Sequence, residues 1–273
     1  EQYQNYLYFA YPAIGIFGAV IFMKYILKQH VGHGIPSVLY AKSKTNGLIK
    51  PHNTYSSIIT SALTVGFGGS VGLEGPTVAT GAAVGSNIGR VLRLNYKQIT
   101  SLLGFACAGA MAAIFKAPIA AIVFALEVIM LDLTMSALVP LLIASVTAAL
   151  TSYFVFGMEE LYTFDLQDSF LLSDVPWYIL FGILAGLVSV YFTEVYMFIG
   201  KIFDRFKTWY SKLIIGGIVL GVLIFFFPSL YGEGYEAINA CLAGDYRYLY
   251  DNSIFYPFRD NIAVTIILIL DIS

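Results

Sequence analysis

Mostly apolar segments, separated by short polar ones, follow one another along the chain. They cover residues 7–27, 54–73, 98–115, 134–156, 176–200, 213–227 and 261–270, and shorter ones cover 76–92 and 117–131. A helix of about 17–25 apolar residues is long enough to cross a bilayer. The pattern therefore predicts an all-α, polytopic membrane protein, a helical bundle in which several shorter helices do not cross on their own.

The composition agrees with this prediction. The chain has 273 residues, of which 58% are hydrophobic and 12% are charged. About 25% of the residues of an ordinary soluble domain are charged, so this chain cannot cover a water-exposed surface of its size. Because no linker interrupts the apolar pattern, residues 1–273 are expected to form a single transmembrane domain in the lipid bilayer of the cell membrane.

Charge and cysteine content exclude other classes of partner and site. The net charge is −2, which favours no nucleic-acid partner. Cys107 and Cys241 are too few and too far apart for a metal cluster or a disulfide framework, and they are expected to be buried thiols. We therefore expect neither a metal nor a cofactor.

The basic residues indicate an orientation in the membrane. They cluster in 42–52, 90–97 and 201–212, and no Lys or Arg lies between Lys116 and Lys201. Cytoplasmic loops carry an excess of Lys and Arg. The three basic clusters are therefore predicted to be cytoplasmic. The acidic, aromatic loop 157–175 lies in the segment without Lys or Arg and is predicted to be on the opposite side of the membrane, outside the cell.

Small residues recur at helical spacing in the middle of the chain. Gly81, Gly85 and Gly89 stand four residues apart, with alanines between them. A stripe of this kind allows two helices to approach closely within a membrane. These three glycines are interpreted as packing positions without chemistry.

Three prolines, Pro36, Pro76 and Pro118, are predicted to stand at the first position of a helix, where a missing N–H costs nothing. Glycines precede the first two. A helix that begins inside a membrane is tolerated only beside a polar cavity, to which it presents free N–H groups and a partial positive charge. Such ends bind anions and mark transport sites. Glu74 stands at one of these predicted helix starts, two residues before Pro76. No other charged residue lies between His52 and Arg90, so its carboxylate is isolated in an apolar segment.

Four motifs resemble those of the CLC family of chloride channels and chloride/proton exchangers. The segment GHGIP at 32–36 resembles the family's G-S-G-I-P motif, and GLEGP at 72–76 resembles G-R-E-G-P. The segments APIAAIVFALEV at 117–128 and GEGYEAI at 232–238 follow in the family's order. A weak internal echo between VGHGIPSVLYA and YGEGYEAINACLAG agrees with inverted repeats.

The resemblance implies the CLC fold, which consists of two inverted repeats of discontinuous helices. It also implies a homodimer with a separate anion path in each subunit. By this resemblance, residues 1–156 form most of the first repeat and residues 174–273 begin the second. The chain is then expected to be a fragment, without the later G-x-F-x-P motif and the late tyrosine that faces the chloride.

The resemblance also implies roles for individual residues. Glu74 takes the place of the gating glutamate, which competes with the anion and swings aside to open the path. The implied anion-binding and selectivity residues are Gly32, His33, Gly34, Ile35, Pro36, Gly72, Leu73, Glu74, Gly75 and Pro76.

Two of these positions depart from the family pattern. His33 replaces a serine, and it either donates a hydrogen bond to the anion or turns away and leaves the binding to the N–H groups of Gly34 and Ile35. Leu73 replaces a common arginine, which changes the local electrostatics.

Three further positions bear on proton coupling. Val128 stands where exchangers of the family carry an inner proton-relay glutamate, and valine cannot carry a proton. This favours a channel-like protein. Glu127 is expected to be a buried structural residue, and Glu194 a satisfied polar contact within the bundle, although an acid inside the membrane is also a functional candidate.

The sequence thus predicts a protein that is not an enzyme and that passes chloride and similar small anions passively, with chloride as the bound ion. Proton-coupled exchange of chloride or fluoride is the alternative within the family. An intramembrane enzyme that uses Glu74 and His33 as acid and base is the alternative from another class. That enzyme would need a nucleophile or metal motif, and the chain contains no H-E-x-x-H.

Overall fold

The computed structural model describes residues 6–28, 34–129, 135–158, 161–162, 171–251, 253 and 256–258. Its regular elements are helical throughout these ranges. The ten α-helices are α1 Tyr11–Ile21, α2 Gly34–Lys44, α3 Asn53–Gly66, α4 Glu74–Val91, α5 Tyr96–Phe115, α6 Pro118–Glu127, α7 Met135–Phe156, α8 Val175–Asp204, α9 Trp209–Phe226 and α10 Tyr235–Leu242. A π-helical turn, Phe22–Leu27, extends α1, and short 3₁₀ turns lie at Tyr6–Phe9, Leu172–Asp174, Pro228–Leu230, Tyr246–Tyr250 and Tyr256–Phe258.

Within the described ranges, four helical segments are long and apolar enough to cross a membrane. They are Tyr96–Phe115, Ala137–Phe156, Leu172–Asp204 and Trp209–Phe226. Helices α2 and α6 have only 11 and 10 residues, which is too short for a crossing. The predicted mixture of spanning and non-spanning helices in an all-α membrane protein is therefore confirmed.

One predicted span is wrong at its end. The apolar segment 54–73 is not a single helix, because α3 ends at Gly66 and α4 begins at Glu74. Gly68 has a φ of +84°, a left-handed conformation that ends the helix. Apolar character alone did not reveal this break. The predicted span 261–270 lies outside the described residues.

The core forms where α4, α5 and α7 pack together, with α2 and α3 against α4. Its buried side chains are mostly small. A Cβ atom added to Gly85 would lie 2.6 Å from the carbonyl oxygen of Leu102 and 2.8 Å from Cβ of Ala106, and one added to Gly81 would lie 2.8 Å from Cβ of Ala110. The interpretation of the glycine stripe as a packing surface is confirmed, since α4 and α5 approach too closely for any side chain there.

A methyl group at Gly85 is expected to destabilise the protein by about 1–3 kcal/mol, because it must push α5 away from α4. The matched control is Gly186→Ala, since no described atom lies within 4 Å of a Cβ at Gly186 on α8. Thermal unfolding in detergent measures both variants. Equal melting temperatures for Gly85→Ala and the wild-type protein would contradict the close contact between these helices.

Polar contacts join the loop after α2 to the end of α4. Ser86 Oγ donates to the carbonyl of Gly47 at 2.6 Å and accepts from the N–H of Ile49 at 2.9 Å. Arg90 donates to the carbonyl of Ile49 at 2.6 Å. Helices α2 and α4 thus carry the basic clusters 42–52 and 90–97 to the same end of the bundle, as expected for clusters that share one side of a membrane.

Candidate functional site

The N-terminal ends of α2 and α4 meet at a pair of glycines. Gly34 has a φ of +51°, and a Cβ atom on it would lie 3.3 Å from Cα of Gly75. Only glycine combines this backbone conformation with so close an approach. The two helix ends, with their free N–H groups and partial positive charges, are therefore held next to each other.

The prolines stand slightly later in these helices than predicted. Pro36 and Pro76 are each the third residue of α2 and α4, whereas Pro118 is the first residue of α6, as expected. The first four N–H groups of a helix have no partner within it. A proline at the third position therefore costs no hydrogen bond, so the correction leaves the interpretation of broken helices intact.

Glu74 is the first residue of α4 and is half-buried. Leu73 precedes it and, being apolar, supplies no cap to the helix end. The Glu74 side chain turns back over the preceding loop, so that Oε2 occupies the space that a Cβ on Gly72 would need. The carboxylate thus lies near the positive end of the α4 dipole, where a negative charge is stabilised.

A loop from the later part of the chain packs on this glycine-rich segment. The N–H of Val71 donates to the carbonyl of Gly232 at 3.2 Å. The ring of Tyr231 lies against Gly68, where a side chain would collide with it. These contacts place α10 beside the start of α4.

Tyr235, the first residue of α10, reaches Glu74 directly. Its hydroxyl donates to Oε1 of Glu74 at 2.5 Å. The phenol belongs to the segment GEGYEAI, but sequence reasoning did not assign it to the site. The two residues are 161 positions apart, and no local pattern reports such a contact. The sequence signal that could have identified it is a tyrosine directly after a G-x-G segment, Gly232 to Gly234, at a helix start.

An aromatic row continues from Tyr235. The ring of Tyr162 meets that of Tyr235 edge-on at 5.7 Å and stacks on Phe115 at 6.3 Å. Asn239 of α10 donates to the carbonyl of Leu161 at 2.9 Å, which fixes this segment against α10. Burial, and then the charge of nearby Glu74, raises the pKa of the Tyr162 phenol above its ordinary value, so it remains uncharged at neutral pH.

A cavity of about 610 Å³ opens beside this row. Tyr235 lines it, together with the acidic residues Glu233, Glu236 and Asp251. Tyr235 therefore connects the cavity with the Glu74 carboxylate. The acidic wall lowers the local concentration of free anions and raises that of cations, protons included.

The remaining predicted site residues lie in different places. Ile35 packs against the core from the first turn of α2. Val128 caps the C-terminal end of α6, where its N–H donates to the carbonyl of Phe124 at 2.8 Å. Gly32 and His33 lie outside the described residues.

Two expectations about acidic residues are wrong for the described part of the chain. Glu127 is exposed rather than buried, because the face of α6 that carries it is not covered by another described element. Glu194 is exposed on α8, and no described residue of that helix is buried.

The described residues contain no cluster of three or more His, Cys, Asp or Glu side chains that could hold a metal ion. Residues 68–72, GGSVG, fit the spacing G-x-S-x-G of hydrolase nucleophiles. That motif requires a strand before the serine and a helix after it, whereas here the segment joins α3 to α4.

The family model "Voltage gated chloride channel" matches residues 14–272. The chain is 30% identical to an uncharacterized protein, MJ0305, of Methanocaldococcus jannaschii over 81% of this chain and 55% of that protein. It is also 30% identical to the H(+)/Cl(-) exchange transporter ClcA of Vibrio cholerae, over 67% of this chain and 41% of the transporter. The chain thus spans about half the length of the curated relatives it matches.

A solved structure, a CLC-type fluoride/proton antiporter, superimposes with a TM-score of 0.71 at 28% sequence identity. The match covers 94% of this chain and 65% of the antiporter chain.

Proposed function

We propose, from the premise that this chain belongs to the CLC family of voltage gated chloride channels, that the complete protein carries chloride and similar small anions across a membrane. Membership confirms the resemblance read from the four motifs and the all-α CLC fold of a multi-pass membrane protein. The family consists of channels and transporters, so the prediction that the chain is not an enzyme is also confirmed.

One observation carries the proposal for the site. The Glu74 carboxylate lies at the N-terminal end of α4, next to the N-terminal end of α2, where the backbone favours an anion. A carboxylate in that position competes with a mobile anion for the same place. The anion enters when Glu74 moves away or is protonated, and Glu74 thereby acts as the gate of the path.

An anion must bind in the path strongly enough to leave water and weakly enough to be released on the other side. An anion that leaves water loses its hydration shell and must find replacement donors. The helix ends supply such donors without a full opposite charge, so the anion is held weakly enough to leave again. We infer that the donors are the backbone N–H groups of Gly34, Ile35 and Gly75. Pro36 and Pro76 have no N–H, and the N–H of Thr77 already donates to the carbonyl of Leu73.

The coupling of anion flux to protons has two candidate modes. Passive conduction is supported by Val128, which replaces a proton-carrying residue with a side chain that cannot titrate. Proton-coupled exchange is supported at least as well by the relatives, since they include a H(+)/Cl(-) exchange transporter and a fluoride/proton antiporter. A homodimer with one path in each subunit, in the cell membrane, completes the proposal.

The test uses the full-length protein in liposomes, with gradients of chloride, nitrate or fluoride, each with and without a proton gradient. Anion flux is expected. Uphill proton movement driven by the anion gradient would establish exchange, and its absence would establish passive conduction. A preference for fluoride over chloride would identify a fluoride exporter. Absence of flux for all three anions would overturn the proposed function.

A further inference from the structure

We propose that Tyr235 is a positioning residue that holds the Glu74 carboxylate in the closed position of the path. The inference rests on the proposed function of Glu74 as the gate. By this proposal, the stability of the closed state depends on Tyr235, which lies at the start of the second repeat. The gate itself, Glu74, belongs to the first repeat.

The hydrogen bond between the two residues is the basis of this proposal. Among the described residues, the hydroxyl of Tyr235 is the side-chain donor that reaches Glu74, at 2.5 Å from Oε1. Both side chains are half-buried, so water competes weakly for the carboxylate. A hydrogen bond to an ionised acceptor is about twice as strong as one between neutral groups.

The phenol is held in place from several sides. Tyr162 packs edge-on against its ring at 5.7 Å. The loop before it contains Gly232 and Gly234, both with positive φ, and is tied to Val71 through the carbonyl of Gly232. Because this loop is fastened to the segment that precedes Glu74, the hydroxyl stays aimed at the carboxylate without a further loss of side-chain entropy.

This arrangement gives Tyr235 opposite effects in the two states of the gate. In the closed state, its O–H stabilises the charged form of Glu74, so an anion or a proton must break this bond before the gate opens. In the open state, the same O–H is a free donor that faces a mobile anion. Among the described residues, the other titratable groups that act on this pair are Tyr162, which interacts with both Glu74 and Tyr235, and Glu233, which interacts with Tyr235.

Tyr235→Phe in the full-length protein tests the proposal, because it removes the donor and keeps the ring. Anion flux into liposomes at neutral pH is expected to rise about tenfold, since a hydrogen bond to a charged group is lost. The pH of half-maximal activation by acid is expected to rise by about one unit, because the charged carboxylate loses its donor. A merely structural role would change the amount of folded protein and leave this midpoint in place.

The matched control is Tyr248→Phe. Tyr248 donates to a carboxylate oxygen of Glu236, the residue after Tyr235 in α10, at 3.0 Å. The control therefore removes a bond of the same kind, from a tyrosine hydroxyl to a carboxylate, at a neighbouring position. Its midpoint is expected to equal that of the wild-type protein. A second variant, fluorotyrosine at position 235, makes the phenol a stronger donor, and it is expected to move the midpoint to lower pH.

The outcomes separate this proposal from the one on Glu74. If Tyr235→Phe and the fluorotyrosine variant both keep the wild-type midpoint while Glu74→Ala abolishes the pH dependence, Tyr235 does not position the gate and Glu74 remains the gate. If Glu74→Ala keeps the pH dependence, the gate proposal itself fails. If Tyr235→Phe still raises the flux about tenfold in a Glu74→Ala background, the rise does not act through Glu74 and the positioning role is refuted.

Discussion

Replacement of Glu74 by alanine in the full-length protein is expected to raise anion flux at neutral pH at least about tenfold and to make it independent of pH. The carboxylate is stabilised at the N-terminal end of α4 and by the hydroxyl of Tyr235. Without it, the anion has no built-in competitor for the space between the two helix ends, and the carboxylate that takes up the gating proton is missing.

Flux of chloride from liposomes at several pH values measures this effect. The control is Glu194→Ala, since Glu194 is also an acid within an apolar helix but is exposed on α8, away from the site. That variant is expected to keep the wild-type pH profile. If the pH profile of Glu74→Ala matched that of the wild-type protein, Glu74 would not be the gate.

Replacement of Gly34 by alanine is expected to reduce anion flux about tenfold or more. The left-handed backbone of Gly34 disfavours any residue with a side chain by roughly 1–2 kcal/mol, and the new methyl group would press on Cα of Gly75. A change of about 1.4 kcal/mol is a factor of ten in an equilibrium. Because the methyl group forces the two helix ends apart, their N–H groups no longer converge on one anion.

The matched control for this variant is Gly66→Ala. Gly66 ends α3, is exposed, and has no described atom within 4 Å of an added Cβ. Flux per folded protein, normalised by size-exclusion chromatography in detergent, is expected to be unchanged for the control. Wild-type flux in Gly34→Ala would show that the close approach of α2 and α4 is not needed for anion binding.

The local features of this protein were accessible from its sequence. Hydropathy alone predicted an all-α membrane bundle, because the length of an apolar segment is a direct consequence of bilayer thickness. Helix starts near Pro36, Pro76 and Pro118 were found within two residues, since proline and glycine act on the backbone beside them. Glu74 was identified for the same reason: it is a lone charge next to such a helix start.

Predictions that depended on contacts between different helices were less accurate. The span 54–73 was wrong because apolar character continues through the loop that separates α3 from α4. Glu127 and Glu194 were expected within the bundle, although the described helices leave both exposed. Burial depends on which other elements cover a face, and one helix does not encode that information.

The sequence by itself determined the membrane environment, the broken helices and the acid at the start of α4, because each depends on residues adjacent in the chain. Only the tertiary structure decided that Gly34 meets Gly75 and that Tyr235 reaches across 161 positions to Glu74. Such contacts arise when helices pack, and packing depends on the joint shape of distant segments rather than on local propensity.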